Sequence, residues 1–175
     1  MHIALVVTPA ELATRTKDIV SGLTKAAISV EIFAVPSALS YVEGIPHREG
    51  EFNRTDQTHS ADFIQQFDAV VCFPITFETT MDWASHRQAN PALSILIGAL
   101  ENNIPTLAIP LEDKAPDTLN DWVVAAKGLG QLGAFWMDPV NGDVHNSPTL
   151  RYGDNSAKVA HNFNPEWLLT WCTNL

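Results

Sequence analysis

The strongest constraint in this chain is a series of short apolar runs, each ended by a proline or turn and separated by stretches of helical length. Residues 3–7 (Ile3-Ala4-Leu5-Val6-Val7) are unbroken in hydrophobicity, the pattern of a parallel strand buried on both faces. Thr8-Pro9 ends the run. Residues 10–27 then carry Leu12, Ile19, Val20, Leu23 and Ala27 close to helical spacing, with Pro9 near the first turn. Residues 28–34 read as a second strand. Strand, helix and strand in that order form a crossover unit, which makes the two strands parallel and the connection right-handed.

The alternation continues. Residues 36–42 start a helix, with Ser37 available as its cap. Residues 43–58, rich in Gly, Pro, Arg, Glu and Asn, show no apolar period; an irregular excursion of that length inside a compact domain is usually functional or mobile. Residues 59–66 predict a short helix, and 68–73 a third strand that Pro74 stops. Two helical pieces, 78–85 and 91–101, are separated near Gln88-Ala89-Asn90. Residues 104–109 form a fourth strand closed by Pro110. An amphipathic helix over 117–132 stops at Gly133, and 134–137 form a fifth strand. The tail from 138 is loop-rich until a short helix at 165–172. Trp122 fits the core face of its helix, while Trp167 and Trp171 lie four apart and pack on the body or a second chain.

This order predicts one α/β domain over residues 1–175, a doubly wound, Rossmann-like parallel sheet with helices on both faces. Ligands of such sheets bind at the carboxyl ends of the strands. The informative positions are therefore Thr8, Pro36-Ser37, residues 74–79 and residues 110–113.

Composition narrows the partners. The 175 residues are 46% hydrophobic and 17% charged, which suits one compact domain. A net charge of −10 argues against nucleic acid or an anionic membrane, because both need a basic footprint. A phosphate can still be held locally by backbone N–H groups and a helix N-terminus. Cys72 lies in an apolar run and is expected to be a buried, reduced thiol. No Cys/His spacing suggests zinc, and Glu112-Asp113 lack further ligands in sequence, so no metal is assigned and the pair is read as solvated. The first residues have the character of a strand and not of a signal peptide, and no apolar stretch reaches membrane-spanning length. A cytoplasmic protein is expected.

The segment Pro74-Ile75-Thr76-Phe77-Glu78-Thr79, following Asp68-Ala69-Val70-Val71-Cys72-Phe73, resembles a motif of the homo-oligomeric flavin-containing cysteine decarboxylases. That family includes the peptidyl-cysteine and phosphopantothenoylcysteine decarboxylases. Its third strand ends in Pro-Ala-Ser/Thr-x-Asn-Thr, followed by a helix, a break, and a helix leading to a strand ending in Pro. Trp83-Ala84, Asn90-Pro91-Ala92-Leu93, Ala99-Leu100 and Ile104-Pro105-Thr106-Leu107-Ala108-Ile109-Pro110 fall in that order. Val35-Pro36-Ser37-Ala38 is similar to the family's turn after the second strand. The resemblance covers about residues 1–135.

The resemblance implies FMN, or less often FAD, bound between subunits of a homotrimer that is sometimes grouped into a dodecamer. By position, Thr8 and Ser37 would hold the flavin phosphate. Pro74, Thr76 and Phe77 would line the isoalloxazine, and Asn90 would reach a ring or a neighbouring subunit. His59 would be the catalytic base, and Glu78 would contact the substrate. In the family's chemistry the flavin accepts two electrons from a thiol-bearing carbon, and the thioaldehyde so formed loses carbon dioxide to leave an enethiol. The substrate is then a small molecule or a peptide ending in cysteine.

Several positions depart from the family's pattern. The first turn, Thr8-Pro9-Ala10-Glu11, has neither Gly nor Ser. Glu78 replaces the motif's Asn, and a carboxylate there favours a cationic or neutral polar substrate over a second carboxylate. The family's Pro-x-Met-Asn-x-x-Met clamp is reduced to Pro110-Leu111-Glu112-Asp113. His59 could equally be a surface residue preceding a helix, Ser37 a plain cap, and Thr8 and Thr76 hydroxyls that bond to backbone. Three other functions remain open: a non-catalytic flavin carrier, a flavin-free nucleotide-binding domain, and a flavin prenyltransferase.

Overall fold

The computed structural model describes residues 1–48, 60–148 and 155–175. Four apolar runs form the centre: β1 (His2–Val7), β2 (Ser29–Ala34), β3 (Ala69–Ile75) and β4 (Thr106–Pro110). With β5 (Ala134–Met137) and β6 (Val144–His145) they make one sheet of order β2-β1-β3-β4-β5-β6. The first five strands are parallel; β6 pairs antiparallel with β5 at the edge. The chain leaves β1 toward β2, then returns past β1 to β3 and continues outward. This reversal puts a topological switch point between the carboxyl ends of β1 and β3, where doubly wound sheets open a crevice.

The helices follow from right-handed crossovers. A 3-10 turn (Glu11–Arg15) leads into α1 (Thr16–Lys25), so the single helix expected over 10–27 is split in two. After β2, a 3-10 helix spans Pro36–Tyr41. Residues 43–48 are irregular as expected, and Arg48 bridges to Phe33 at the β2 edge; residues 49–58 of that excursion lie outside the described residues. Ser60 caps α2 (Ala61–Ile64), its Oγ accepting from Phe63 N–H at 3.2 Å. Then come α3 (Phe77–Ala84), α4 (Pro91–Glu101) and α5 (Leu119–Gln131), with Gly133 at φ +111° after α5. The tail is less loop-like than its composition suggests, for it holds β6 and α6 (Ser156–Asn162) before α7 (Pro165–Thr173).

Both sheet faces are covered. Phe135 and Trp136 are neighbours in β5 and point to opposite sides. Phe135 meets Trp171 of α7, and Trp136 meets Trp122 of α5 and Trp83 of α3, with ring centroids 6.0 to 6.4 Å apart. α1 packs on α7, whereas α4 lies across β1 and β3 and is buried from Pro91 to Ala99. Arg15 fastens the tail: its Nη1 donates to the carbonyls of Ala160, His161 and Phe163, which end α6. Cys72 is fully buried, and burial pushes its thiol pKa up.

Two boundaries differ from the sequence expectation in ways that matter for the site. Pro74 does not stop β3, which runs through it to Ile75 with a cis Phe73–Pro74 bond. The ladder to β4 shifts register between Cys72 and Ile75, so no ladder hydrogen bond is asked of the proline nitrogen. Ser37 is not a cap. Val35 precedes the 3-10 helix, no side chain caps it, and Ser37 sits inside its first turn.

Candidate functional site

The ends of β1 and β3 are joined by one side chain. Thr8 is fully buried; its Oγ1 donates to the Pro74 carbonyl at 2.8 Å and accepts from Thr76 N–H at 3.2 Å. The hydroxyl expected to face a phosphate therefore spends its one proton on the protein. Its effect is to fix Thr76 at the switch point. Pro74 is likewise buried within the strand and lines neither of the cavities described below.

Thr76 caps α3, its Oγ1 accepting from Thr79 N–H at 3.4 Å, and it is 8% exposed. Asn90 caps α4 in the same way, with Oδ1 accepting from Leu93 N–H at 3.0 Å. Both helices thus begin at the crevice, and their N-terminal ends present positive dipole there. Glu78, in the first turn of α3, is exposed and makes no hydrogen bond or ion pair among the described residues. Its negative charge acts on Glu112, a like one.

Two cavities meet at this point. One of about 280 Å³ lies toward Pro36, Ser37, Asn90 and Leu93, and one of about 630 Å³ lies toward Phe77, Glu112 and Lys114. Pro9, Thr76 and Glu78 line both. Ser37 is exposed and its hydroxyl has no partner among the described residues, so it is free to meet a ligand. The structure thus brings together Ser37, Thr76, Phe77, Glu78 and Asn90 from the expected set, and withdraws Thr8 and Pro74 into the scaffold. His59 lies outside the described residues.

The sequence reading singled out residues 110–113 by position but took Glu112-Asp113 as a solvated pair. Glu112 is not merely solvated: its carboxylate accepts from Phe77 N–H, and Asp113 Oδ1 accepts from Glu11 N–H at 3.2 Å. Burial holds the Glu112 carboxyl above the usual carboxylate range. The Phe77 hydrogen bond opposes that shift, and the charges of Asp113 and Glu78 add to it. On the other wall, Asp82 faces Arg87 at 3.7 Å beside Asn90. Among the described residues no three metal-ligating side chains gather, and no helix is long and apolar enough to cross a membrane.

Chemically the crevice offers hydroxyls and two helix starts on one wall, proline and aliphatic surface on another, and unneutralised carboxylates at its centre. No family model and no curated protein matches the chain. Solved structures do. A PPC decarboxylase mutant complexed with pantothenoylaminoethenethiol aligns with a TM-score of 0.69 at 14% identity, covering 99% of this chain and 96% of that one. Phenylacrylic acid decarboxylase from Aquifex aeolicus aligns at 0.68 and 15% identity, over 97% and 95%. A dodecameric FMN-dependent Ubix-like decarboxylase from Escherichia coli O157:H7 aligns at 0.65 and 13% identity, over 79% and 80%. The chain has the fold of these flavoprotein-type decarboxylases.

Proposed function

We propose that the chain binds a flavin, FMN ahead of FAD, in the joined cavities and uses it to decarboxylate a small or peptide-borne carboxylic acid. The observation that carries this reading is the pair of cavities meeting at Thr76 and Glu78, at the switch point of a fold shared with an FMN-dependent decarboxylase. Ligand sites typically span about 300 to 1,000 Å³, a size this crevice reaches, although its lining is more polar than that of most such sites.

The residues present fit the cofactor in part. The free Ser37 hydroxyl stands where the phosphate end would lie. Thr76, Phe77 and Asn90 flank the volume for the ring, with Pro9 and Leu93 supplying apolar contact. Thr8 acts behind them, holding Thr76 in place. Glu78 and Glu112 would repel an anion beside them, which supports a phosphate end at Ser37, away from Glu112, and a substrate contact for Glu78. Bound flavin would supply the two-electron oxidation that prepares the substrate for loss of carbon dioxide. Glu78 then disfavours a second carboxylate on the substrate and favours an amine or neutral polar group beside the scissile one. His59 is the proton acceptor that the resemblance implies, and a homo-oligomer is the assembly it implies.

Reconstitution tests this directly. The purified chain mixed with FMN should quench flavin fluorescence and stay yellow through gel filtration, which also reports the oligomer. Carbon dioxide should be released from a panel of cysteine-ended peptides and free thiol acids, and His59→Asn should abolish it. A protein that stays colourless with excess FMN and FAD removes the reading. Flavin binding with no carbon dioxide from any panel member would leave a flavin carrier in its place.

A further inference from the structure

The short turn between α3 and α4 sends two neighbouring side chains to different places. His86 takes φ +55°. Its Nδ1 lies 3.6 Å from Glu101 at the end of α4, and it lines a separate pocket of about 190 Å³ with Trp83, Ile97 and Leu132. Arg87 turns the other way and lines the 280 Å³ cavity with Ser37 and Asn90. Its backbone is pinned: Arg87 N–H donates to the Asp82 carbonyl at 2.9 Å, and the Arg87 carbonyl accepts from Ala89 N–H at 2.9 Å. The turn fixes where the side chain starts, while the guanidinium stays free at the rim, its side chain 71% exposed.

Three side chains on this cavity have donors to spare. Asn90 is only 8% exposed. Its Oδ1 accepts from Leu93 N–H, but its Nδ2 donates to nothing among the described residues. A donor on so enclosed a side chain needs an acceptor from water or ligand. The Ser37 hydroxyl is open in the same sense. Arg87 makes no side-chain hydrogen bond among the described residues. Its charged neighbour is Asp82, with Nη1 and Oδ1 3.7 Å apart, close enough for attraction and too far for a hydrogen bond.

Charge separates Arg87 from the other two. Among the described residues it is the one cation lining this cavity, in a chain of net charge −10, and it stands there with Glu78 and Asp82. Without it the cavity would carry negative charge alone and repel a phosphate. A guanidinium is planar and always charged, and it can offer paired N–H groups to two phosphate oxygens at once.

We propose that Arg87 is the cation of the phosphate end: its guanidinium forks onto the phosphate of the bound molecule, with the Ser37 hydroxyl on the same cavity and the Asn90 amide as the more enclosed donor. Arg87 thereby makes the cavity select a phosphorylated ligand over the same molecule without its phosphate. The inference deepens the flavin reading and rests on it for the identity of the ligand.

Arg87→Gln and Lys114→Gln in the full chain test it. The second removes the same charge from the wall of the 630 Å³ cavity. Both side chains are exposed, so neither change should shift the ligand-free melting temperature. Affinity is read with FMN and riboflavin by fluorescence quenching, and with inorganic phosphate by phosphorus NMR line broadening. Arg87→Gln should weaken FMN about tenfold, leave riboflavin within about twofold, and abolish the phosphate broadening seen with wild type. Lys114→Gln should leave all three near wild type. Equal losses for FMN and riboflavin in Arg87→Gln, or as large a loss of FMN in Lys114→Gln, overturns the proposal. If neither flavin binds wild type, the flavin reading falls alone and phosphate decides. Broadening that Arg87→Gln abolishes upholds the anion site; broadening that survives the change, or none with wild type, refutes it.

Discussion

Thr8→Val is the most informative single change, because it replaces a hydroxyl by a methyl group of similar shape at a fully buried position. Two backbone groups lose a partner together. The Pro74 carbonyl loses a 2.8 Å donor, keeping only a 3.5 Å contact from the Cys72 thiol, and Thr76 N–H loses its 3.2 Å acceptor. A buried group left unsatisfied costs about 1 to 3 kcal/mol. The amide bond here is long, and the added methyl recovers part of the loss through burial at about 0.8 kcal/mol. The net is a destabilisation of about 2 to 3 kcal/mol, a large share of the roughly 5 to 15 kcal/mol typical of a domain. Urea unfolding followed by tryptophan fluorescence reads this directly, and thermal melting should fall by about 5 to 10 °C. Thr8→Ser is the control: it keeps the hydroxyl, loses one buried methyl group, and should cost only about 1 kcal/mol. A valine variant within about 0.5 kcal/mol of wild type, or a serine variant that is the weaker of the two, refutes the claim that the hydroxyl ties β1 to β3.

Four further outcomes are expected. Glu112→Gln should be more stable than wild type at neutral pH, since burial holds the folded-state carboxyl above its ordinary value of 4.5. A raised carboxyl keeps its proton more firmly in the folded chain, so stability is lost as pH climbs above about 4.5; the variant's advantage in urea midpoint should therefore shrink toward acid pH, and an advantage that grows there contradicts the assignment. Ser37→Ala should weaken FMN about fivefold while leaving riboflavin unchanged, as judged by fluorescence quenching; equal loss of both would remove Ser37 from the phosphate end. Glu78→Asn should tighten the binding of substrate analogues that carry a second carboxylate and leave neutral analogues alone, which competition against turnover can measure; no change would separate Glu78 from substrate choice. Gly142→Ala should destabilise by more than about 2 kcal/mol, because φ is +78° and the new Cβ would lie 2.5 Å from the Trp167 indole; a melt within 2 °C of wild type would contradict that packing.

The strands were legible because their burial is legible. Val70, Val71, Leu107 and Ala108 are fully enclosed, and a strand enclosed on both faces leaves an unbroken apolar run in the sequence. Helix α4 was legible for the same reason. By contrast, α6 (Ser156–Asn162) carries little apolar signal, and its end is fixed by the three carbonyl bonds from Arg15, about 145 residues away in sequence. No local window contains that. Pro74 misled because proline usually ends a parallel strand, whereas here a register shift leaves its missing N–H without consequence. Ser37 misled because the helix begins at Pro36, which leaves the cap position to Val35 and puts Ser37 inside the first turn.

The same division governs the site. The rule that ligands gather past the carboxyl ends of parallel strands located Ser37, Thr76, Phe77 and Glu78 from sequence, and the structure gathers them around one crevice with Asn90. What the rule cannot supply is whether a hydroxyl or amide at that rim is still unspent. Thr8 and Ser37 look alike in sequence, each a hydroxyl at a strand-to-helix turn. Thr8 has its carbonyl partner 66 residues on and is satisfied, while Ser37 has none among the described residues. Glu112 looked like solvated surface because its donor, Phe77 N–H, lies 35 residues back. Every buried polar group at a rim must be satisfied by protein, water or ligand. The distinction between scaffold and ligand-binding residue is thus a count of remaining hydrogen bonds, and that count depends on long-range contacts that a single sequence does not carry.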